Sequence, residues 1–455
     1  AKLALDWTLL DKKGDVKRAI IQNSIYGVDK DKGAVDIARL RFWLSLIVDE
    51  DVEEGEKPQP LPNFDYKIMQ GDSLLESFKG YSLKYHEEQI EPEQTDLFNT
   101  QKQINIFKKT HTDLAVLEKD FFDPKNNHRK EEIRNKIDEL VAFSIEQSFK
   151  DLIAEKKRSV TSISKNIAPD KAKKAKQEKI MAQLETDIEQ MQQALKDIKP
   201  LLKKDEKPWF LWHLFFKDVF DKGGFDIVIG NPPYIRQESI TDIKPYLEKI
   251  DGKPNYEVYN STSDIYTYFF ELGHKILKED KGVFSFICSK KYTRAKYGQN
   301  LRKYLLKKSQ ISGYVDFNEV QVFGATVDTS IIFFQKIAEP SDNYSFTFCL
   351  VGNDLQRNEP LIDYINKNGN LYHRKYLNDD SWSFADKISE KVKQIIEKVP
   401  KKLKDWDTEI NYGIKSGCNE AFYIDEETKR KLISENSFCS NHIKPLLRGR
   451  DIKRF

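Results

Sequence analysis

Residues 225–234 read FDIVIGNPPY, a β-branched apolar run that meets two consecutive prolines. Such a run suits a strand buried in a sheet. Neither proline can donate to a β-ladder, each holds φ near −65°, and the asparagine before them is pushed out of the helical region. The chain must therefore leave the sheet at Asn231 in a stiff corner, and any fold it adopts has to present that corner at a strand's carboxyl end. Two more runs of this kind follow, VFSFICS at 283–289 and TSIIFFQK at 329–336, and ISGYVDF adds another strand. Between them lie two helical patterns, DIYTYFFELGHKILKEDKG, closed by Gly282, and YGQNLRKYLLKKS. Strands alternating with helices predict an α/β fold built on a parallel sheet.

The same alternation runs upstream. IYGVD at 25–29 is a strand, and the next segment places Val35, Ala38, Phe42 and Leu46 at helical spacing. After the proline-rich loop GEKPQPLPN, FDYKIMQGDSLLESF reads as a second strand ending at Asp72. Residues 85–208 break the pattern. There Met181, Leu184, Ile188, Met191, Leu195, Ile198 and Leu202 step by threes and fours, while Val141, Ile145, Phe149 and Leu152 line one face of an earlier helix. This predicts an inserted α-helical coiled-coil hairpin turning across TSISKNIAPDKAKKAK. The domain reading is a core in two parts, 1–84 and 209–336, split by the insertion 85–208. A loose linker region with one charged helix, 337–407, follows, and 408–455 begin something new.

A chain of 455 residues can bury cores for two or three domains without disulfides or metals. Cys288, Cys349, Cys418 and Cys439 lie far apart with no C-x-x-C pair, so no metal site is expected and a reduced, cytoplasmic setting follows. No run approaches the roughly 18 apolar residues of a membrane span. With 75 Lys and Arg against 73 Asp and Glu, any polyanionic partner must be met by a local patch. SKKYTRAKYGQNLRKYLLKKS, just past a strand end, supplies one: Lys290, Lys291, Arg294, Lys296, Arg302 and Lys303, with tyrosines interleaved. A merely solvated helix face is the competing reading.

In open α/β sheets, ligands bind beyond the carboxyl ends of the strands. At that place the Asn231 side-chain oxygen and the Pro232 carbonyl offer two acceptors to one incoming NH2 group. An amino group conjugated to a ring or a carbonyl is a poor nucleophile. Two acceptors gripping its hydrogens would hold it and help its nitrogen pyramidalise during attack. Tyr234 adds a ring face for a planar substrate. A plain turn is the rival account, since Asn and Pro are common turn formers.

NPPY after such a strand resembles the catalytic motif of S-adenosylmethionine-dependent amino-group methyltransferases. The pattern is most similar to the γ-class N6-adenine DNA methyltransferases. The resemblance implies a Rossmann-like sheet in which Asn231, Pro232, Pro233 and Tyr234 form the catalytic corner. VQVFGATVDTSIIFF is similar to the segment whose aromatic packs on the extruded base, which implies that Phe323 stands opposite Tyr234. IYGVDKD and QGDSLL imply that Asp29 and Asp72 hold the donor's ribose and adenine. The tail, YGIKSGCNEAFYIDEETKRKLI and HIKPLLRGRDIKRF, resembles the opening of a TaqI-like target-recognition domain of type IIG restriction-modification enzymes. It implies double-stranded DNA as partner, adds Arg448 and Arg450 to the DNA contacts, and allows an endonuclease domain in the same parent chain.

The family's first strand and its glycine-rich loop find no counterpart in this sequence. The expectation is an internal fragment whose sheet has a gap between the strands ending at Asp29 and Asn231, with apolar edges and half a cofactor site. A non-catalytic DNA-binding scaffold, or a methyltransferase for protein glutamine or RNA, stays open beside the DNA-adenine reading.

Overall fold

The computed structural model describes residues 13–48, 61–83 and 112–384, apart from breaks at 115, 123, 168–169, 203, 205, 319, 324–327 and 357, together with parts of 392–445. The chain divides into two compact units, Ala1–Phe384 and Ala385–Phe455.

In the first unit, β1 (Gly27–Asp29) and β2 (Ile68–Gln70) form a separate parallel pair. Helices α1 (Lys13–Ser24) and α2 (Lys32–Val48) belong to this part, and Ile21, Val35, Leu46, Phe64 and Ile68 form its own small core. The main sheet has six strands, β3 (Ile227–Gly230), β4 (Val283–Ser289), β5 (Ser309–Asp316), β6 (Thr329–Lys336), β7 (Ser345–Leu350) and β8 (Asn370–His373). Their spatial order is β8-β7-β5-β6-β4-β3.

The sheet is mixed, not parallel as expected. β3 runs parallel to β4 and β5 to β7, but β6 is antiparallel to both of its neighbours and β8 to β7. The cause is the connection 317–328, which carries no helix among its described residues. Without a crossover the chain can only return antiparallel.

Two further expectations are corrected. The region 337–384, read as part of a loose linker, supplies β7, α7 (Leu361–Asn368) and β8, sealed by Phe384 stacked 4.2 Å from Tyr314 and 5.0 Å from Phe348. The helix after the corner, α5 (Tyr266–Ile276), stops six residues before Gly282. Phe225 takes over its last turn: its N–H donates to Ile276 O at 2.9 Å and its carbonyl accepts from Lys278 N at 2.9 Å. Along α5, Gly273 lets the helix lie flush on the sheet, because a Cβ there would stand 2.5 Å from the Phe284 ring. Helix α6 (Gln299–Lys308) follows β4.

The insertion is a pair of long helices, α3 (Lys130–Lys165, also αA) and α4 (Lys171–Leu202, also αB). They run antiparallel. Lys199 meets Glu146 at 3.7 Å, Asp187 meets Lys156 at 3.0 Å, and the Gln177 amide donates to Asn166 O at 3.0 Å, so one number rises as the other falls. The turn is shorter than the sequence suggested, because 161–165 and 171–176 are helical. Ile188, Met191, Ile198 and Leu202 are buried as expected, with Ala194, whereas Met181, Leu184 and Leu195 are only half-buried. The inner half of the hairpin shares the main core with Tyr66, Leu74 and Trp209.

The strands ending at Asp29 and just before Asn231 each keep one edge without a partner strand among the described residues. Among the described residues β1 pairs only with β2 and β3 only with β4, and on β3 Ile227 is 66% and Ile229 80% exposed. The two sheets are joined by Tyr26, whose ring lies 5.0 Å from Phe216 and 5.6 Å from Phe225 and whose hydroxyl donates to Asp218 at 3.1 Å. No described helix is long and apolar enough to cross a membrane. In the second unit the described helix Glu426–Glu435 is capped by Asp425, which accepts from Thr428 N at 2.8 Å.

Candidate active site

β3 enters the corner through Gly230, where a Cβ would come within 3.0 Å of the Phe286 ring. Asn231 is exposed and its carboxamide has no hydrogen-bond partner among the described residues; Pro232 is buried and Pro233 exposed. Tyr234 is half-buried, and its hydroxyl donates to Ile287 O at 3.4 Å. Burial, and then the Cys288 thiol, push this phenol up to about 12, so it stays protonated at neutral pH.

Groups that the sequence reading missed brace the corner. Ile265 N donates to Ile235 O at 3.0 Å, and Gln237 N donates to Asp264 Oδ1 at 3.2 Å. Asp264 Oδ2 accepts from the Tyr297 hydroxyl at 3.3 Å, which in turn meets the Tyr266 hydroxyl at 3.0 Å. The Tyr266 ring stands 6.4 Å from Tyr234. The one available signal was an acidic residue directly before a helical pattern, in SDIYTYFF.

Phe323 lies 6.2 Å from Tyr234 with the rings at 69°. Two rings sandwiching a base would lie parallel and about 7 Å apart, twice a van der Waals contact. The two rings meet edge-on and leave no parallel slot of that width between them.

Asp29 and Asp72 end neighbouring parallel strands, Asp29 being opposite Gln70. Neither caps a helix. Asp29 Oδ1 accepts from Asp31 N at 2.8 Å, and it is Asp31 that caps α2, accepting from Ala34 N at 2.7 Å. Asp29 is exposed. Asp72 is only 7% exposed; its Oδ1 accepts from Leu74 N at 3.2 Å, and its Oδ2 lies 3.2 Å from Lys30 Nζ. The loop beyond it is pinned by Trp212 Nε1 on Ser73 O at 3.0 Å and the Tyr256 hydroxyl on Leu74 O at 3.0 Å. Gly71 permits this approach, since a Cβ would stand 2.7 Å from Trp209 O.

Because β3 and β4 are parallel, with Gly230 opposite Phe286, the basic stretch beyond Ser289 leaves the same end of the sheet as the corner. Lys291, Arg294, Lys296 and Lys303 are exposed, while Lys290 is held by Asp316 at 2.9 Å. Arg302 requires a correction. It is 1% exposed, Nε donates to Asp379 O at 3.0 Å and Nη1 to Ala295 O at 2.9 Å, and the remaining donors reach Tyr292 O and Asp380 O. A guanidinium spent on four carbonyls is an internal clamp and cannot reach a phosphate. Arg448 and Arg450 lie outside the described residues, as does most of the tail signature up to residue 422.

Residues 23–323 match the model of a family described as Eco57I restriction-modification methylase, a span that contains Asp29, Asp72, the NPPY corner and Phe323. The chain belongs to this family. It is 28% identical over 345 residues to the putative type II restriction enzyme and methyltransferase RM.MjaORFECS2P of Methanocaldococcus jannaschii, covering 72% of this chain and 27% of that protein. With the type II methyltransferase M.HindII of Haemophilus influenzae it shares 26% identity over 250 residues, 50% of this chain and 46% of the relative. The family member thus spans less than half the length of either relative. Among solved structures, the methyltransferase subunit of a type I restriction-modification system from Streptococcus thermophilus matches 40% of this chain and 42% of its own at 15% identity, with a TM-score of 0.26, a likeness that carries no argument.

Proposed function

We propose that this chain holds the catalytic portion of a site-specific DNA methyltransferase that modifies N6 of adenine in duplex DNA. The supporting observation is Asn231: exposed and, among the described residues, unpartnered at a strand's carboxyl end, with Tyr234 three residues on and its ring 6.2 Å from that of Phe323. An adenine turned out of the duplex would lie against these rings, and aromatic stacking of about 1–3 kcal/mol would offset part of the cost of unstacking it. The Asn231 Oδ1 and the Pro232 carbonyl would accept the two amino hydrogens, leaving the nitrogen lone pair free to attack. Lys291, Arg294, Lys296 and Lys303, with Arg448 and Arg450, would contact phosphates.

S-adenosylmethionine, when bound, supplies the electrophilic methyl group. Asp29 and Asp72 fit its nucleoside, since an exposed and a buried carboxylate at adjacent strand ends are acceptors for ribose hydroxyls and an adenine amino group. The open slot between β1 and β3 favours a second reading, a DNA-binding scaffold without turnover. Because the first relative's name joins restriction enzyme and methyltransferase, a nuclease on the same polypeptide belongs to the proposal.

Asn231→Ala should lower methyl transfer to an adenine-containing duplex by about 10²–10³-fold or more, the scale for losing a key transition-state contact. Donor affinity, followed by calorimetry, should stay within about twofold. Full turnover by the variant would sink the role given to the corner. Label entering a glutamine peptide or RNA, and not the duplex, would sink the substrate.

A further inference from the structure

The outer end of the insertion has a charge pattern that the site does not use. Residues 156–179 hold nine Lys and Arg (Lys156, Lys157, Arg158, Lys165, Lys171, Lys173, Lys174, Lys176 and Lys179) against two acidic residues, Asp170 and Glu178. The remainder of the same two helices is the reverse, with six basic against eleven acidic residues over 130–155 and 180–202. Nine basic less two acidic residues give this tip a net charge of +7 in a chain whose net charge is +2.

The inner stretch is laced with pairs, such as Lys136 with Glu132 at 2.6 Å and Lys150 with Glu146 at 3.8 Å. At the tip only Lys156, on Asp187 at 3.0 Å, and Lys174, on Glu178 at 3.9 Å, have acidic partners among the described residues. The other seven cations are exposed. The tip also stands clear of the core. The last buried side chain of αA is Ile153 and the first of αB is Ile188, so the helices run about 18 and 25 Å further at 1.5 Å per residue. Lysines 171, 173 and 174 occupy the first turn of αB, which has no acidic residue and where the helix dipole disfavours cations. A solvated helix face gains nothing from such a placement, and the well-paired inner stretch shows what such a face looks like in this chain. Mutually repelling, unpaired cations are relieved by a polyanion.

We propose that this tip is a phosphate-binding arm that grips duplex DNA away from the bases being modified. The inference takes duplex DNA as partner from the function proposed above, but its readout is binding, not transfer. Phosphate contacts fix a protein on the duplex without reading its bases, so the arm contributes affinity and not sequence preference.

The test titrates the 455-residue chain, and its K171Q/K173Q/K174Q/K176Q variant, with a random-sequence duplex across 50–200 mM salt, using fluorescence anisotropy. Glutamine matches lysine in helix propensity, so the substitution removes charge and keeps the helix. The variant's log–log salt slope should be shallower by about 3 to 4, and its binding at low salt weaker by about tenfold or more. Lys→Arg at the same four positions should restore both. An unchanged slope and affinity overturn the arm. So does wild-type binding to polyglutamate as tight as to the duplex, which would mark a generic polyanion surface. If the four lysines prove silent while Asn231→Ala still removes transfer, only the arm is wrong; the opposite pattern sinks only the methylation reading.

Discussion

The two flanks of the open slot are built differently. On the substrate side, β3 to β6 rest on a dense aromatic core in which Phe284 stacks on Phe334 at 4.3 Å and Phe270 packs on Phe286 at 5.5 Å. Tyr266, Tyr292 and Tyr314 are buried there, with phenols held far above their ordinary range. On the donor side, β1 and β2 have three residues each over five buried side chains, and α2 leaves Ile37, Leu40, Leu44 and Ile47 exposed. The lesson is where rigidity is placed: the amino nitrogen of a substrate would meet a preset corner, while the donor would meet carboxylates on a lightly supported pair of strands.

The sharpest way to break this contrast is at Arg302. If the substrate flank is rigid because its buried polar groups are satisfied, Arg302→Ala leaves up to four carbonyls without their donor. It should cost about 3–5 kcal/mol, as for breaking other buried charged contacts. Its exposed neighbour Lys303 should behave oppositely, with Lys303→Ala within about 0.5 kcal/mol of the parent. Urea unfolding measures both. A loss below 1 kcal/mol at Arg302 would show that the flank does not depend on its clamp.

On the donor side the comparable group is Glu118. Its Oε1 is shut from solvent without a hydrogen-bond partner, and burial, then Asp218, push the carboxyl up to about 8 against the pull of Lys67. A carboxyl whose folded pKa stands above its unfolded value stabilises the fold relative to higher pH. That contribution is fully present below about 4.5 and is lost as pH rises through 8. Glu118→Gln removes the titration and keeps the shape. The variant's advantage over the parent should therefore grow from pH 5 to pH 8, reaching on the order of 2 kcal/mol. A difference in urea midpoints that is flat with pH would mean that the carboxylate is solvated and the flank looser than described.

The two flanks were also unequally legible from the residues. Local patterns carried well: Val35 and Leu46, Ile188 to Leu202, and the strand that stops at Asn231 all follow from periodicity or proline chemistry. What failed was non-local. Arg302 looks like any cation on a basic helix until Asp379 and Asp380, more than seventy residues on, close over it. Asp264 acquires its role only through Gln237 and Tyr297, and α5 ends early because Phe225 competes for its last carbonyl. The strand SFTFCL buries only Phe346 and Cys349, with two half-buried residues between them and exposed ends, so its six residues carry no clean period of two to stand out from their polar surroundings.

The smallest expected effect tests whether the donor flank is a binding site at all. Lys30 reaches Asp72 from a side chain that is 72% exposed, so the pair contributes at most about 1 kcal/mol, and Lys30→Ala should change stability by less than that. Under the proposed function, Lys30 competes for the Asp72 carboxylate with the donor's adenine amino group. Removing it should raise donor affinity about two- to fivefold, the equivalent of the lost ion pair, whereas Asp72→Asn exchanges an acceptor for a donor and should lower affinity at least tenfold. Calorimetry with S-adenosylmethionine reads both. If neither substitution moves the affinity, Asp72 is a structural carboxylate fixing Leu74 and Lys30, and the donor flank owes its shape to packing alone.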